Sequence, residues 1–260
     1  MPFNNRIIFI PFANYELGNS DLITTSVKTD RILEWQKTRP EKRFQVVHYG
    51  HTNPRNNAIQ GLANTPKETA SIYIWANQIA CDENNVDHSL VAVDRETGAA
   101  LTVLNIPTLI SRMIELGFTA RGKKGNGIMI KIFVGESGRA HAGDDVHKSI
   151  AHQISVHLKE RKFPRTIVCG YKYSLDASYP YSYLSKSDNP EDQAAAQALS
   201  NLGLTGKIAI AAYGTAAPRP MRAKDTHVYF AGGKRVNLQV VEGKNGGPKR
   251  LLIKVLPKGK

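Results

Sequence analysis

Cys81 and Cys169 are the only sulfur nucleophiles in this 260-residue chain. A cysteine hydrolase needs a thiolate and a base that moves protons near neutral pH, so either thiol would need a histidine partner. Cys169 lies inside RTIVCGYKY, where a strand would make it a small core hydrophobe. His141, His147 and His152 are its candidate bases, and none is fixed beside it by spacing. Cys81 follows IYIWANQIA, five residues beyond the expected strand end, with His51 after RFQVVHYG as its candidate base. Glu136-Ser137 offers a carboxylate beside a hydroxyl, without a placed histidine to complete a triad. His147, His152 and His157 recur every five residues, about 140° apart on a helix, so they do not share one face as metal ligands would. With no pair-spaced cysteines either, no metal and no organic cofactor is expected.

Elements able to position such groups are legible as apolar runs separated by helical patterns. Arg6–Phe12, Arg43–Gly50, Ser71–Ala76, Ile128–Val134 and Arg165–Gly170 read as strands. Ser89–Asp94 reads as a strand with LTV as its hairpin partner across RETGAA. Between them, Val27–Lys37 reads as a helix. Asn105 caps a second, with Ile106, Leu109, Ile110, Met113 and Ile114 at helical spacing and Gly117 at its end. A third is expected over Val146–Arg161 and a fourth near Glu191–Leu202. RGKKGNG is a basic turn before a strand, not the strand–loop–helix of a phosphate-binding P-loop. Continuous apolar strands alternating with helices predict an α/β fold, with a mostly parallel central sheet covered by helices on both faces. Such sheets place their sites at the carboxyl ends of the strands, here after SIYIWA, IMIKIFV and RTIVCG.

The succession of strand, LTVLNIPTLISRMIELGF helix, strand IMIKIFV, Ser-Gly turn, helix and strand resembles the core of caspase-like (clan CD) cysteine peptidases. That group includes clostripain-like and gingipain-like enzymes and the self-cleaving domains of large bacterial toxins. The resemblance spans roughly Ser71–Leu175. In that family the first strand runs into Gly-His-Gly, which carries the base, and the second ends in the nucleophilic Cys. Carried onto this chain, Asn77 stands at the base position and Gly135 at the nucleophile position. An amide is no base and a glycine no nucleophile, so the resemblance implies a degenerate pseudo-peptidase, effector- or toxin-related, that works by binding. Its cleft would lie around Asn77, Gln78, Gly135, Glu136 and Ser137. A hydrolase using Cys169 or Cys81 is the competing expectation.

The chain carries a net charge of +13, and its last segment holds most of it. Residues 218–260 contain 11 Lys and Arg against Asp225 and Glu242, about +9 in all. THVYF, RVNLQVV and RLLIKV alternate apolar with polar positions there, so a basic β-rich segment is expected to pack on the α/β domain of residues 1–217. Such a face suits a protein or anionic partner. Related toxin domains bind an inositol phosphate through basic residues, which makes Lys234, Arg235, Lys249, Arg250 and Lys254 the implied ligand set. The basic residues are not contiguous and few aromatics interleave them, so a nucleic-acid role is the weaker alternative. The tyrosines Tyr171, Tyr173, Tyr179, Tyr181 and Tyr183 form a second candidate recognition surface. Apolar runs of seven residues or fewer predict no transmembrane segment, and MPFNNRIIFIPF reads as a first strand rather than a secretory leader. A cytoplasmic location, or delivery by a signal-independent route, is expected.

Overall fold

The computed structural model describes residues 3–20, 22, 43–50, 69–82, 87–118, 128–134, 137–138, 145–172, 174–176, 185, 188, 190–201, 211–213, 221–222, 226–241 and 250–257. The expected helix Val27–Lys37, the RGKKGNG turn over 121–127 and the KIAI run at 207–210 lie outside them, as do His51, Gly135, Glu136, His141, Tyr173, Tyr179, Tyr181, Tyr183 and Lys249.

The chain folds as an α/β structure around an eight-stranded, mostly parallel sheet. Its strands are β1 (Phe3–Ile10), β2 (Arg43–His48), β3 (Thr69–Trp75), β7 (Ile128–Phe133), β8 (Ile167–Tyr171), β12 (His227–Ala231), β13 (Lys234–Val241) and β14 (Arg250–Val255). They lie in the order β14-β13-β12-β8-β7-β3-β1-β2. The pairs β2/β1, β1/β3, β3/β7 and β7/β8 are parallel, whereas β12, β13 and β14 add antiparallel strands beyond β8. The basic C-terminal segment therefore extends the same sheet.

Two smaller sheets flank it. One is the meander β4 (Gln78–Cys81), β5 (His88–Val93) and β6 (Ala100–Asn105), and the other joins β9 (Ser174–Asp176), β10 (Ala211–Tyr213) and β11 (Met221–Arg222). The helices are α1 (Asn14–Leu17), α2 (Ile106–Glu115), α3 (Ile150–Glu160) and α4 (Pro190–Asn201).

All six residues of β7 are buried, the pattern of a strand covered on both faces. Register sorts the side chains by face. Ile72, Ile74, Ile130, Ile132, Val168, Val228 and Phe230 point to one side, where Ile150, Ile154 and Leu158 of α3 complete the main core. Tyr73, Trp75, Met129, Lys131, Phe133, Cys169, Tyr171, His227 and Tyr229 point to the other. That second face is rich in rings: Trp75 stacks on Phe133 at 5.4 Å, and Tyr171 meets Phe133 edge-on at 6.0 Å.

Caps set the helix boundaries. The Asn105 side chain accepts from Thr108 N at 2.9 Å and starts α2, and Gly117, with φ 95°, follows its end. The third helix begins at Ile150, four residues later than its apolar pattern predicts. Asp145 caps only a 3-10 turn over Val146–Lys148, and Ser149, accepting from His152 N at 3.2 Å, caps the helix proper. The strand β4 has no counterpart among the expected elements. Tyr171, which falls just beyond the expected strand Arg165–Gly170 and among the recognition-surface tyrosines, is instead the buried last residue of β8. A two-residue turn joins β12 to β13, with Gly232 and Gly233 at φ 57° and 73°, the left-handed pair a tight hairpin needs.

Candidate binding site at the carboxyl ends of the parallel strands

The strands β3 and β7 are neighbours, with Trp75 opposite Phe133 at the end of their pairing. Asn77 follows two residues after Trp75. Its Oδ1 accepts from Ser20 Oγ at 3.0 Å and Val93 N at 3.1 Å, and its backbone N–H donates to Val91 O. The carboxamide thus ties the end of β3 to β5 and to the segment after α1. Gln78 is exposed at the start of β4.

Ser137 lies beyond the end of β7 and is fully buried. Its hydroxyl donates to Ile132 O at 2.9 Å and accepts from Tyr171 N at 3.1 Å, so both of its roles are occupied. Gly138 N donates to Tyr171 O at 2.8 Å, drawing this turn against β8. The approach requires two glycines: a Cβ on Gly170 would stand 2.6 Å from both Gly138 Cα and Ser137 O.

Neither cysteine is in a thiolate-stabilising setting. Cys169 is fully buried with Met129 and Ile167, and burial pushes its thiol up to about 12. Partial burial raises Cys81 as well, and the nearby Asp82 carboxylate, 3.8 Å from Sγ, adds to the shift. His147 and His152 stand 5.3 Å apart, and both lie against Phe230, on the face opposite Cys169. Burial lowers His152, whose Nε2 meets Gly233 O at 3.2 Å. His157 is partly exposed and contacts Glu160 at 3.1 Å. Among the described residues, no three His, Cys, Asp or Glu side chains cluster as a metal site would.

Two arrangements escape sequence spacing. Arg112 on α2 is largely buried, donates to Pro11 O at 2.6 Å and grips both Glu16 oxygens at 2.7 Å. Its guanidinium also lies 4.3 Å from the ring centre of Tyr49, whose hydroxyl donates to Glu115. Arg112 holds the Glu16 carboxyl below its ordinary value, and Glu16 in turn raises Arg112. The second arrangement, around Lys131 and His227, lies on the ring-rich face of the sheet.

On the C-terminal hairpin, Lys234 and Lys254 are exposed and Arg235 is half-buried. Alternation and register put Arg235 and Lys254, which lies opposite Asn237, on the α3 side of the sheet and Lys234 on the reverse side. Arg250 occupies the position opposite Val241. Of the five basic positions, the three whose side chains are described, Lys234, Arg235 and Lys254, are thus divided between two faces. No helix of the described residues is long and apolar enough to cross a membrane.

No family model matches the chain, and no curated protein is significantly similar to it. Solved structures that align with it include Raptor from Chaetomium thermophilum, at 10% identity and a TM-score of 0.31. That alignment covers 67% of this chain and 16% of the Raptor chain, so the chain spans about a sixth of the Raptor chain's length.

Proposed function

We propose that the chain is a caspase-like pseudo-peptidase that acts by binding, with a vestigial cleft at the ends of β3 and β7 and an anion-attracting hairpin at β13–β14. The observation that carries this reading is the occupied state of the polar groups at the strand ends. The Asn77 carboxamide oxygen and the Ser137 hydroxyl are both spent on backbone and side-chain bonds, so neither of these two described groups serves as a free base or nucleophile there. The parallel pairing of β3 with β7 supports the family resemblance, because the two turns it assigns to base and nucleophile leave neighbouring strands. The raised thiols of Cys169 and Cys81 weigh against the hydrolase alternative.

A two-part experiment tests the reading. A thiol-reactive probe at pH 6 should leave both cysteines of the folded protein unlabelled, and selective labelling of either would restore the hydrolase reading. Calorimetric titration with inositol hexakisphosphate should detect binding that weakens steeply with added salt and falls at least about tenfold in the Arg235→Ala/Lys254→Ala double variant. Absence of binding at low salt would remove the anionic partner. Equal or tighter retention of single-stranded DNA would favour the nucleic-acid alternative.

A further inference from the structure

The end of α3 and the chain that follows it read KERKFPR, residues 159–165, and the four cations Lys159, Arg161, Lys162 and Arg165 are all exposed. A helix C-terminus draws cations to its dipole, which accounts for Lys159 but not for Lys162 and Arg165, which lie beyond the last turn. Lys162 is the only non-glycine among the described residues with a positive φ, 68°. It closes the helix as a glycine usually does: its N–H donates to Lys159 O at 3.0 Å, and that of Phe163 to Leu158 O at 2.7 Å. An L side chain costs stability in that conformation, so lysine stands here against the local preference of the backbone.

Packing brings a second basic segment to the same end of the sheet. The β12–β13 turn rests on α3 and on the chain after it. Gly233 N donates to Ser155 Oγ at 3.0 Å, and a Cβ on Gly232 would stand 3.0 Å from Pro164 O. The exposed Lys234 leaves that turn, and β14 ends beside it, with Leu256 N donating to Arg235 O at 2.9 Å. Glu160 is the only carboxylate within residues 159–165 and 232–235, and it contacts His157 at 3.1 Å. Among the described residues no carboxylate pairs with Lys159, Arg161, Lys162, Arg165 or Lys234. Next to these cations β14 exposes Val255, at 58%, and Pro257 follows it, also exposed.

We infer that this end of the sheet is a docking surface for an anionic lipid bilayer, with the five cations at the headgroup phosphates and Val255 and Pro257 in the interfacial layer. Two features favour a bilayer over nucleic acid. Aliphatic side chains beside the cations gain nothing from a phosphate backbone, whereas they partition into the boundary between headgroups and acyl chains. The aromatic side chain of these segments, Phe163, is 3% exposed and cannot stack on a base. The surface goes beyond the function proposed above, shares with it only Lys234 of the hairpin, and does not rest on the family resemblance.

The test is co-sedimentation of the full chain with vesicles of phosphatidylcholine containing about 30% phosphatidylserine, and with vesicles of phosphatidylcholine alone. The wild type should partition onto the acidic vesicles and not the neutral ones, and added salt should release it. Each cation near such a surface is worth about fivefold in partition, so Arg161→Ala/Lys162→Ala/Arg165→Ala should weaken it about a hundredfold. Val255→Ser should weaken it at every salt concentration. Lys162→Gly should weaken it about fivefold while raising the thermal midpoint by about 2–4 °C, because glycine relieves the backbone at that turn. That variant keeps the test decisive where the triple substitution unfolds. No sedimentation with acidic vesicles at low salt, equal sedimentation with neutral ones, or partition unchanged in Lys162→Gly or in the folded triple variant would overturn the surface. Tighter binding of duplex DNA at matched phosphate concentration would reassign it to nucleic acid. Binding of inositol hexakisphosphate without vesicle binding would also sink it, and would leave the hairpin ligand proposed above standing. Vesicle binding without inositol hexakisphosphate binding would support it and remove that ligand instead.

Discussion

At the scale of single residues, pH is the most direct probe, because two groups begin to lose their contribution at different pH. His227 is held at about 3 against an ordinary 6.5, chiefly by burial. A depressed histidine contributes stability that is complete above pH 6.5 and is lost as pH falls toward its folded value. Glu16 is depressed by its hydrogen bonds to Arg112, so its contribution is complete above about 4.5 and is lost as pH falls further. The thermal midpoint should therefore fall as pH drops below about 6.5 and fall more steeply below about 4.5, where the Glu16 stage adds to that of His227. His227→Phe should flatten the upper stage, and Glu16→Gln the lower one. Removing the cation instead, as Arg112→Ala, should cost about 3–5 kcal/mol at pH 7, because Glu16 is then left part-buried without its partner. None of these pairs was visible in spacing. Arg112 and Glu16 are 96 residues apart, and Lys131 and His227 come from different strands.

Among elements, the turn after β7 is the most constrained. Ser137 and Gly138 fold back on β8 through bonds to Tyr171, and α3 joins the same turn by Ala151 N donating to Ser137 O at 3.0 Å. Backbone meets backbone at Gly138 and Gly170, with no flexible side chain able to yield. Gly170→Ala should accordingly destabilise by about 3 kcal/mol or more, measured by urea unfolding, against about 1–3 kcal/mol for Ser137→Ala, which strands one donor and one acceptor. The parts of this region that sequence made legible were those with strong local signals. The apolar runs of β7 and β8 and the Asn105 cap each specify an element without help from elsewhere. The late start of α3 was not legible, because Asp145 and Ser149 are both competent caps and only packing chooses between them. β4 escaped notice because QIAC is short and pairs only with β5. Ser137 read as a strand-end hydroxyl with chemistry to offer, whereas its burial and both its partners come from β7 and β8 together.

Across the whole molecule, the sheet is asymmetric. Its β2 half is parallel, and the three strands after β8 run antiparallel and carry the exposed basic residues Lys234 and Lys254. The sequence pattern anticipated both the parallel core and a β-rich basic end, since alternation of apolar with basic positions survives without knowledge of partners. It did not anticipate that the basic residues divide between two faces, because hairpin register decides that. Among the described strands, β14 ends the order, and it exposes Leu252, Ile253 and Val255 at 41%, 37% and 58%. An edge of that kind is a template for unwanted strand addition, and a charge in its middle is the usual guard against it. Lys254, set between Ile253 and Val255, holds that position. Lys254→Thr should leave the thermal midpoint of dilute protein nearly unchanged while raising light scattering as concentration increases. The charge proposed to draw an anion to this hairpin would then also be what keeps one copy of the protein from becoming the next strand of another.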